Sequence, residues 1–203
     1  LREGQTDHDW WDYIYEMWGK ALTQIGFDEA KISFSGFWSQ GDGASFTCDY
    51  VDCRRLLQFM THKVTPSDSI MGTKRKNAWN AEGGEDFSGY IHRKIGSNGE
   101  PWEVQYKKLL RYANDLSGKV VRTDSRYVHY NTCDFKVEWC GPEKLDGLVN
   151  DWEADVEKLR EQLSQAIYKS LEEGHDDQTS EEAISDFAEA NDYTFTINGT
   201  REG

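Results

Sequence analysis

Asp42 and His129 are the two residues whose combined chemistry is easiest to name. A carboxylate and an imidazole within hydrogen-bonding reach are the minimum for acid–base work. Asp42 lies with Ser39 and Gln40 in the Gly-rich stretch Gly36-Phe37-Trp38-Ser39-Gln40-Gly41-Asp42-Gly43. His129 lies between Tyr127 and Tyr130, in a stretch (127–139) whose β-branched and aromatic content predicts a strand. If that strand joins the sheet carrying Asp42, the pair can meet and a hydrolase follows. The competing reading makes Asp42 a turn former and His129 a sheet residue with a hydrogen-bonded ring, and assigns no catalytic residue. His8, His62, His92 and His175 form no pair at a metal-ligand spacing. The chain carries no GxSxG, HExxH, Walker or strand-linked GxGxxG motif.

Two further groups of residues suggest binding. Phe37 and Trp38 stand beside flexible Gly and small polar residues, as aromatic anchors at interfaces do; alternatively both fold back over the sheet. The second group is acidic. Residues 146–203 hold 16 Asp or Glu against 4 Lys or Arg, whereas residues 1–145 hold 21 against 19. Nearly all of the net charge of −14 therefore lies in the C-terminal segment. Glu153, Asp155, Glu157, Glu161, Glu172, Glu173, Asp176, Asp177, Glu181 and Glu182 can form helical rows. Such rows are either a solvated helix face or an anionic surface that meets a basic groove. Anionic rows repel nucleic acid and acidic membranes, so neither is an expected partner. In contrast, residues 88–126 carry Arg93, Lys94, Lys107, Lys108, Arg111, Lys119, Arg122 and Arg126 against four acids, a patch suited to a phosphate-bearing small ligand.

Cys48, Cys53, Cys133 and Cys140 follow C-x4-C and C-x6-C spacings, neither of which is a zinc or redox spacing. They read as reduced, semi-buried thiols in a cytoplasmic protein; a four-cysteine zinc site assembled in space is the alternative. No metal and no cofactor is expected.

The elements that must position these residues follow from periodicity. Trp11, Ile14, Trp18, Leu22 and Ile25 predict an amphipathic helix over 7–25, capped by Thr6 or Asp7 and stopped by Gly26. Alternation of Ile32 and Phe34 with serines, then of Ala44, Phe46, Cys48 and Tyr50 with polar residues, predicts a hairpin over 31–51. A short helix is expected over 54–61, another starting at Thr65-Pro66, a loop over 77–89, and a helix from Pro101 with a stripe Trp102, Tyr106, Leu109, Ala113, Leu116. Strands are expected over 118–124 and 127–139. The stripe Leu145, Leu148, Trp152, Val156, Leu159, Leu163, Ile167, Leu171 predicts a long helix over 145–172, ended by Gly174 and Asp176-Asp177. The box Thr179-Ser180-Glu181-Glu182 starts another helix, and 193–197 reads as a last strand before the turn Asn198-Gly199. The irregular alternation of elements points to one α+β domain over 1–203. Its expected architecture is an antiparallel sheet with a β-hairpin, packed by several helices including one long C-terminal helix.

Composition agrees with a folded domain. The 203 residues are 37% hydrophobic and 13% aromatic, enough to build a core without staples. No apolar run reaches the roughly 18 residues of a membrane helix. The start, Leu1-Arg2-Glu3-Gly4, has neither initiator Met nor an apolar leader core, and predicts a beginning inside a longer gene product.

The stretch Ile32 to Phe46 (ISFSGFWSQGDGASF), preceded by a Trp-rich helix, resembles a small family of tailed-phage accessory proteins often labelled antitoxin of a toxin–antitoxin system. Tyr127-Val128-His129-Tyr130 resembles their Tyr-rich strand. Leu171-Glu172, the box Thr179 to Ala183 and Asn191 to Thr196 resemble their C-terminal end. The resemblance covers both ends of the chain. Residues 75–118 depart from it and read as an inserted segment. It implies a phage-encoded protein in the host cytoplasm that opposes a host toxin or defence protein, and it hands over no catalytic residue; with the acidic C-terminal rows, the expected partner is a host toxin, nuclease or defence component with a basic surface. The alternatives are a nucleotide or small-molecule sponge, using the Gly-rich loop and the basic middle, and a hydrolase.

Overall fold

A computed structural model describes residues 9–37, 39, 41–61, 99–124, 126–190, 194–195 and 201–202. Helix α1 (Asp12–Ile25) buries Ile14, Trp18, Leu22 and Ile25 along one side. It ends at Gly26, whose φ of 112° lets its N–H turn back onto the Leu22 carbonyl. The expected caps Thr6 and Asp7 lie outside the described residues, and so do the expected helix start at Thr65 and the loop 77–89.

Strands β1 (Phe27–Asp28) and β2 (Lys31–Phe34) both pair antiparallel with β3 (Ala44–Val51), as consecutive pieces of one edge. The expected hairpin is present, with Phe34 opposite Ala44 and Lys31 opposite Thr47. Strand β4 (Leu116–Arg122) lies on the other side of β3, and β5 (Cys133–Trp139) beyond β4, all antiparallel. Helix α2 (Cys53–Thr61) follows β3 and buries Leu56, Leu57 and Met60. The predicted α+β class, an antiparallel sheet with a hairpin and a long helix near the C-terminus, is thus observed.

Three expectations require correction. The helix from Pro101 is only one turn, α3 (Trp102–Gln105), followed by a 3-10 segment Leu109–Asp115 that bends at Tyr112. Its apolar stripe still faces the core, since Trp102, Tyr106, Leu109, Ala113 and Leu116 are all buried. The strand expected over 118–124 lies two residues earlier and that over 127–139 is shorter than expected, because the ladder between β4 and β5 closes at Arg122 opposite Cys133. Residues Tyr130–Thr132 instead form a 3-10 turn capped by His129. There, side chain–backbone bonds outcompete the strand propensity of the tyrosines. Finally, the long helix α4 (Asp146–Gln178) runs straight through Gly174. A Cβ at Gly174 would sit 2.6 Å from Ile14 Cδ1, so this glycine admits α1 against α4 rather than breaking the helix. The helix ends at Thr179, and Ser180 Oγ accepts the Ala183 N–H to start α5 (Glu181–Ala190).

Helix α4 packs across β3 and β5. Its Trp152 meets Phe135 edge-on at 5.7 Å and points its indole N–H at Met60 Sδ, tying sheet, α2 and α4 into one core. Two short strands, β6 (Thr194–Phe195) and β7 (Arg201–Glu202), pair with each other; the expected turn at 198–199 lies outside the described residues. Within the segment expected as an insertion, Trp102 to Gly118 is built into the core and the sheet. Among the described residues, no helix is long and apolar enough to cross a membrane.

Candidate functional site

The tip of the β2–β3 hairpin lies against the loop joining β4 to β5. Glycines make the contact. A Cβ at Gly43 would stand 2.7 Å from His129 Cδ2 and 3.2 Å from the Val128 carbonyl; one at Gly41 would stand 3.3 Å from the Tyr127 ring. Gly41 also has φ of 95°, a conformation that glycine adopts without strain. Ser35 Oγ donates to the Val128 carbonyl at 3.2 Å and accepts the Gly43 N–H at 3.3 Å, which fastens the tip to the loop.

His129 is held in place. Its Nδ1 is 2.7 Å from Asn131 Oδ1, its N–H donates to Thr132 Oγ1 at 3.3 Å, and the Thr132 hydroxyl donates to the His129 carbonyl at 2.7 Å. The ring lies 4.1 Å from that of Tyr130. Arg122 donates to the Tyr127 carbonyl at 3.3 Å and to Ser45 Oγ at 3.4 Å, anchoring the loop to β3. Together the tip and the loop enclose a cleft of about 580 Å³ lined by Gly41, Asp124, Tyr127, His129, Asn131 and Thr132.

Asp42 belongs to the tip itself: its carboxylate accepts the Ser39 N–H at 2.7 Å, closing the turn. His129 takes Asn131 as its side-chain partner, and no ion pair joins it to Asp42 among the described residues. The structure therefore brings Tyr127 and His129 into one cleft with the tip, through the backbone of Gly41 and Gly43. Ser39 is exposed beside them, while Trp38 and Gln40 lie outside the described residues. Phe37 is half-buried and turns inward, its ring 5.5 Å from Tyr168 and 5.0 Å from His175. Asp124, Asn131 and Thr132 escaped the sequence reading because 118–124 and 127–139 read as strands. The spacings Asp124-x-Arg126 and His129-x-x-Thr132 are the local hydrogen-bonding patterns that mark a loop instead. Arg126, bonded to both carboxylate oxygens of Asp124, holds that carboxyl below its ordinary pKa.

The acidic residues of α4 divide into two groups. Glu157 accepts the Phe135 N–H at 2.7 Å, and Glu153 accepts the Val137 N–H at 3.3 Å. Strand β5 is the sheet's edge, so these outward N–H groups have no strand partner. Two strand residues (roughly 6.8 Å) match four helical residues (roughly 6 Å), so glutamates at i and i+4 cap alternate N–H groups. Glu157 also receives Nε and Nη2 of fully buried Arg160, the latter at 2.5 Å. Asp155 is buried and accepts Trp102 Nε1 at 3.1 Å and the Tyr106 hydroxyl. Burial, then this bond to a carboxylate, raises the Tyr106 pKa. Those three acids therefore serve the fold. Glu161, Glu172 and Glu173 are half-buried, Glu173 pairing with Lys169 at 3.1 Å, and Asp176 lies 3.7 Å from His175 Nδ1. Asp177, Glu181, Glu182, Asp186 and Glu189 are exposed and in no ion pair among the described residues.

Cys48, Cys53 and Cys133 are buried and Cys140 is exposed. The Cys48 thiol donates to the Asp28 and Tyr50 carbonyls, and burial pushes its pKa up to about 11; burial pushes Cys53 up to about 12. Neither is a thiolate at neutral pH. Among the described residues, no three His, Cys, Asp or Glu side chains gather as a metal site, the four cysteines included.

Residues 10–181 match the model of a family described as Domain of unknown function (DUF8835). No curated protein and no solved structure matches the chain.

Proposed function

The chain belongs to the DUF8835 family, and we propose that it is a phage-encoded accessory protein that neutralises a host toxin, nuclease or defence factor through an acidic surface. The observation that carries this reading is the division of the carboxylates. Glu153, Asp155 and Glu157 of central α4 are committed to β5, Arg160 and Tyr106, and the denser run of unneutralised acids is the last turn of α4 together with α5. From Asp176 to Ala190 there are Asp176, Asp177, Glu181, Glu182, Asp186 and Glu189 and no Lys or Arg. Ile184 stands in their midst 58% exposed, an apolar centre within a charged rim. A cationic groove built for phosphate would be attracted to this face, and association would weaken as salt rises. The docking residues of this reading are therefore Asp177, Glu181, Glu182, Ile184 and Asp186, with the host cytoplasm as the place of action.

The test is capture of a basic protein from bacterial lysate at moderate salt, followed by the same capture with the exposed face reversed (Glu181→Lys, Glu182→Lys, Asp186→Lys). The reading expects one partner that the reversed face loses. A partner held equally by both chains, or none at all, refutes it.

A further inference from the structure

We propose that the cleft between the hairpin tip and the 123–132 loop binds an uncharged, polyhydroxylated sugar ring, either a free saccharide or the ribose of a nucleoside. The proposal is independent of the acidic face of α5. The cleft's volume, about 580 Å³, falls within the span of small-ligand sites. Its walls are fixed by bonds internal to the loop and by Ser35, so little ordering remains for a ligand to impose.

The lining selects the chemistry. Among the described lining residues Asp124 is the one carboxylate and Arg126 already matches it, so they offer no excess charge to a phosphate or an ammonium group. What it offers is a mixed set of hydrogen-bonding groups. Among the described residues, the Tyr127 hydroxyl, the Asn131 amide nitrogen and His129 Nε2 have no partner. His129 Nε2 donates or accepts according to the tautomer of the ring, whereas the Asn131 amide nitrogen is a donor. Hydroxyl groups, which donate and accept at once, satisfy such a set; a purely anionic or purely cationic ligand does not. Tyr127 adds a platform: its ring rests on Gly41, yet the residue is 55% exposed at the mouth of the cleft. An aromatic face left to water stacks on the C–H face of a sugar or on a nucleobase.

Saturation-transfer NMR on the whole chain tests this with glucose, N-acetylglucosamine, maltose, adenosine, uridine, AMP and inorganic phosphate at millimolar concentration. The expected result is transfer to the sugar-ring protons of at least one uncharged probe, with AMP binding no tighter than adenosine. Saccharides alone, or nucleosides alone, identify the source of the ring. Tyr127→Ala should weaken that probe at least tenfold, and Asp124→Asn should weaken it too, both with unchanged circular dichroism. No transfer from any uncharged probe, equal binding by Tyr127→Ala, or competition by inorganic phosphate overturns the proposal.

Discussion

Replacing Glu157 by Ala tests the claim that this acid belongs to the fold and not to a docking surface. The change removes the acceptor of the Phe135 N–H and strips fully buried Arg160 of its carboxylate. Deleting one partner of a buried ion pair costs about 3–5 kcal/mol because the other charge is stranded. A buried N–H left unpaired adds about 1–3 kcal/mol. The Glu157 side chain is 29% exposed, so water reaches part of the site, and the two losses share one carboxylate. We expect a combined cost of about 3–4 kcal/mol, at or just below the bottom of the sum. For a urea m-value of about 2–3 kcal/mol/M, the midpoint falls by about 1–2 M. Hydrogen exchange at the Phe135 amide should accelerate in the variant, since that edge N–H opens to water, whereas Val137, capped by Glu153, should change less. Glu161→Ala, one turn further along α4, is the control, with an expected change within about 0.5 kcal/mol. Glu157→Gln combined with Arg160→Met removes the stranded charge and should recover much of the loss. Equal midpoints for Glu157→Ala and Glu161→Ala, with unchanged exchange in β5, would refute the assignment.

Other consequences are as direct. Gly43→Ala places a methyl 2.7 Å from His129 Cδ2 and against the Val128 carbonyl, and should lower stability by about 1–3 kcal/mol in thermal denaturation, whereas Gly147→Ala, with nothing within 4 Å, should not destabilise. A thiol reagent at pH 8 should label Cys140 quickly and the three buried cysteines only on unfolding, and Cys140→Ser should abolish the fast phase. Stability should also depend on alkali. Cys48 and Cys53 have folded pKa values of about 11 and 12 against 9.0 for the free thiol. The unfolded chain therefore loses these protons first, and the stability present below pH 9 declines as pH rises from 9 through about 11 for Cys48 and about 12 for Cys53. Cys48→Ala with Cys53→Ala should flatten that decline, measured by urea midpoints across the range. Asp155→Ala removes the acceptor of two buried donors, Trp102 Nε1 and the Tyr106 hydroxyl, and should cost about 2–4 kcal/mol with a loss of near-ultraviolet circular dichroism.

Local pattern alone was enough for much of the architecture. The period-two run specifies a hairpin because alternate side chains must share one face, which holds for Ala44, Phe46 and Cys48; a register shift after Cys48 then buries Val51 and leaves Tyr50, expected on that face, exposed. The stripes of α1 and α4 likewise specify amphipathic helices whose apolar face is buried, although α4 also buries Asp155, Arg160 and Ser164, which no periodicity marks. Tyr127 and His129 were legible as functional candidates from residue type, although their setting was not. Relations between distant segments needed the tertiary structure. Gly174 reads as a helix stop until α1 is found pressed against it, because a missing Cβ has opposite meanings at a frayed end and at a close crossing. Glu153 and Glu157 read as part of an anionic coat, since spacing places them on a helix face without saying what lies opposite. Only the arrival of β5's open edge there turns two surface charges into caps on backbone N–H groups. The same holds for the cleft, whose walls come from a hairpin tip and a loop about 90 residues apart and meet through the Ser35 hydroxyl and the glycines between them.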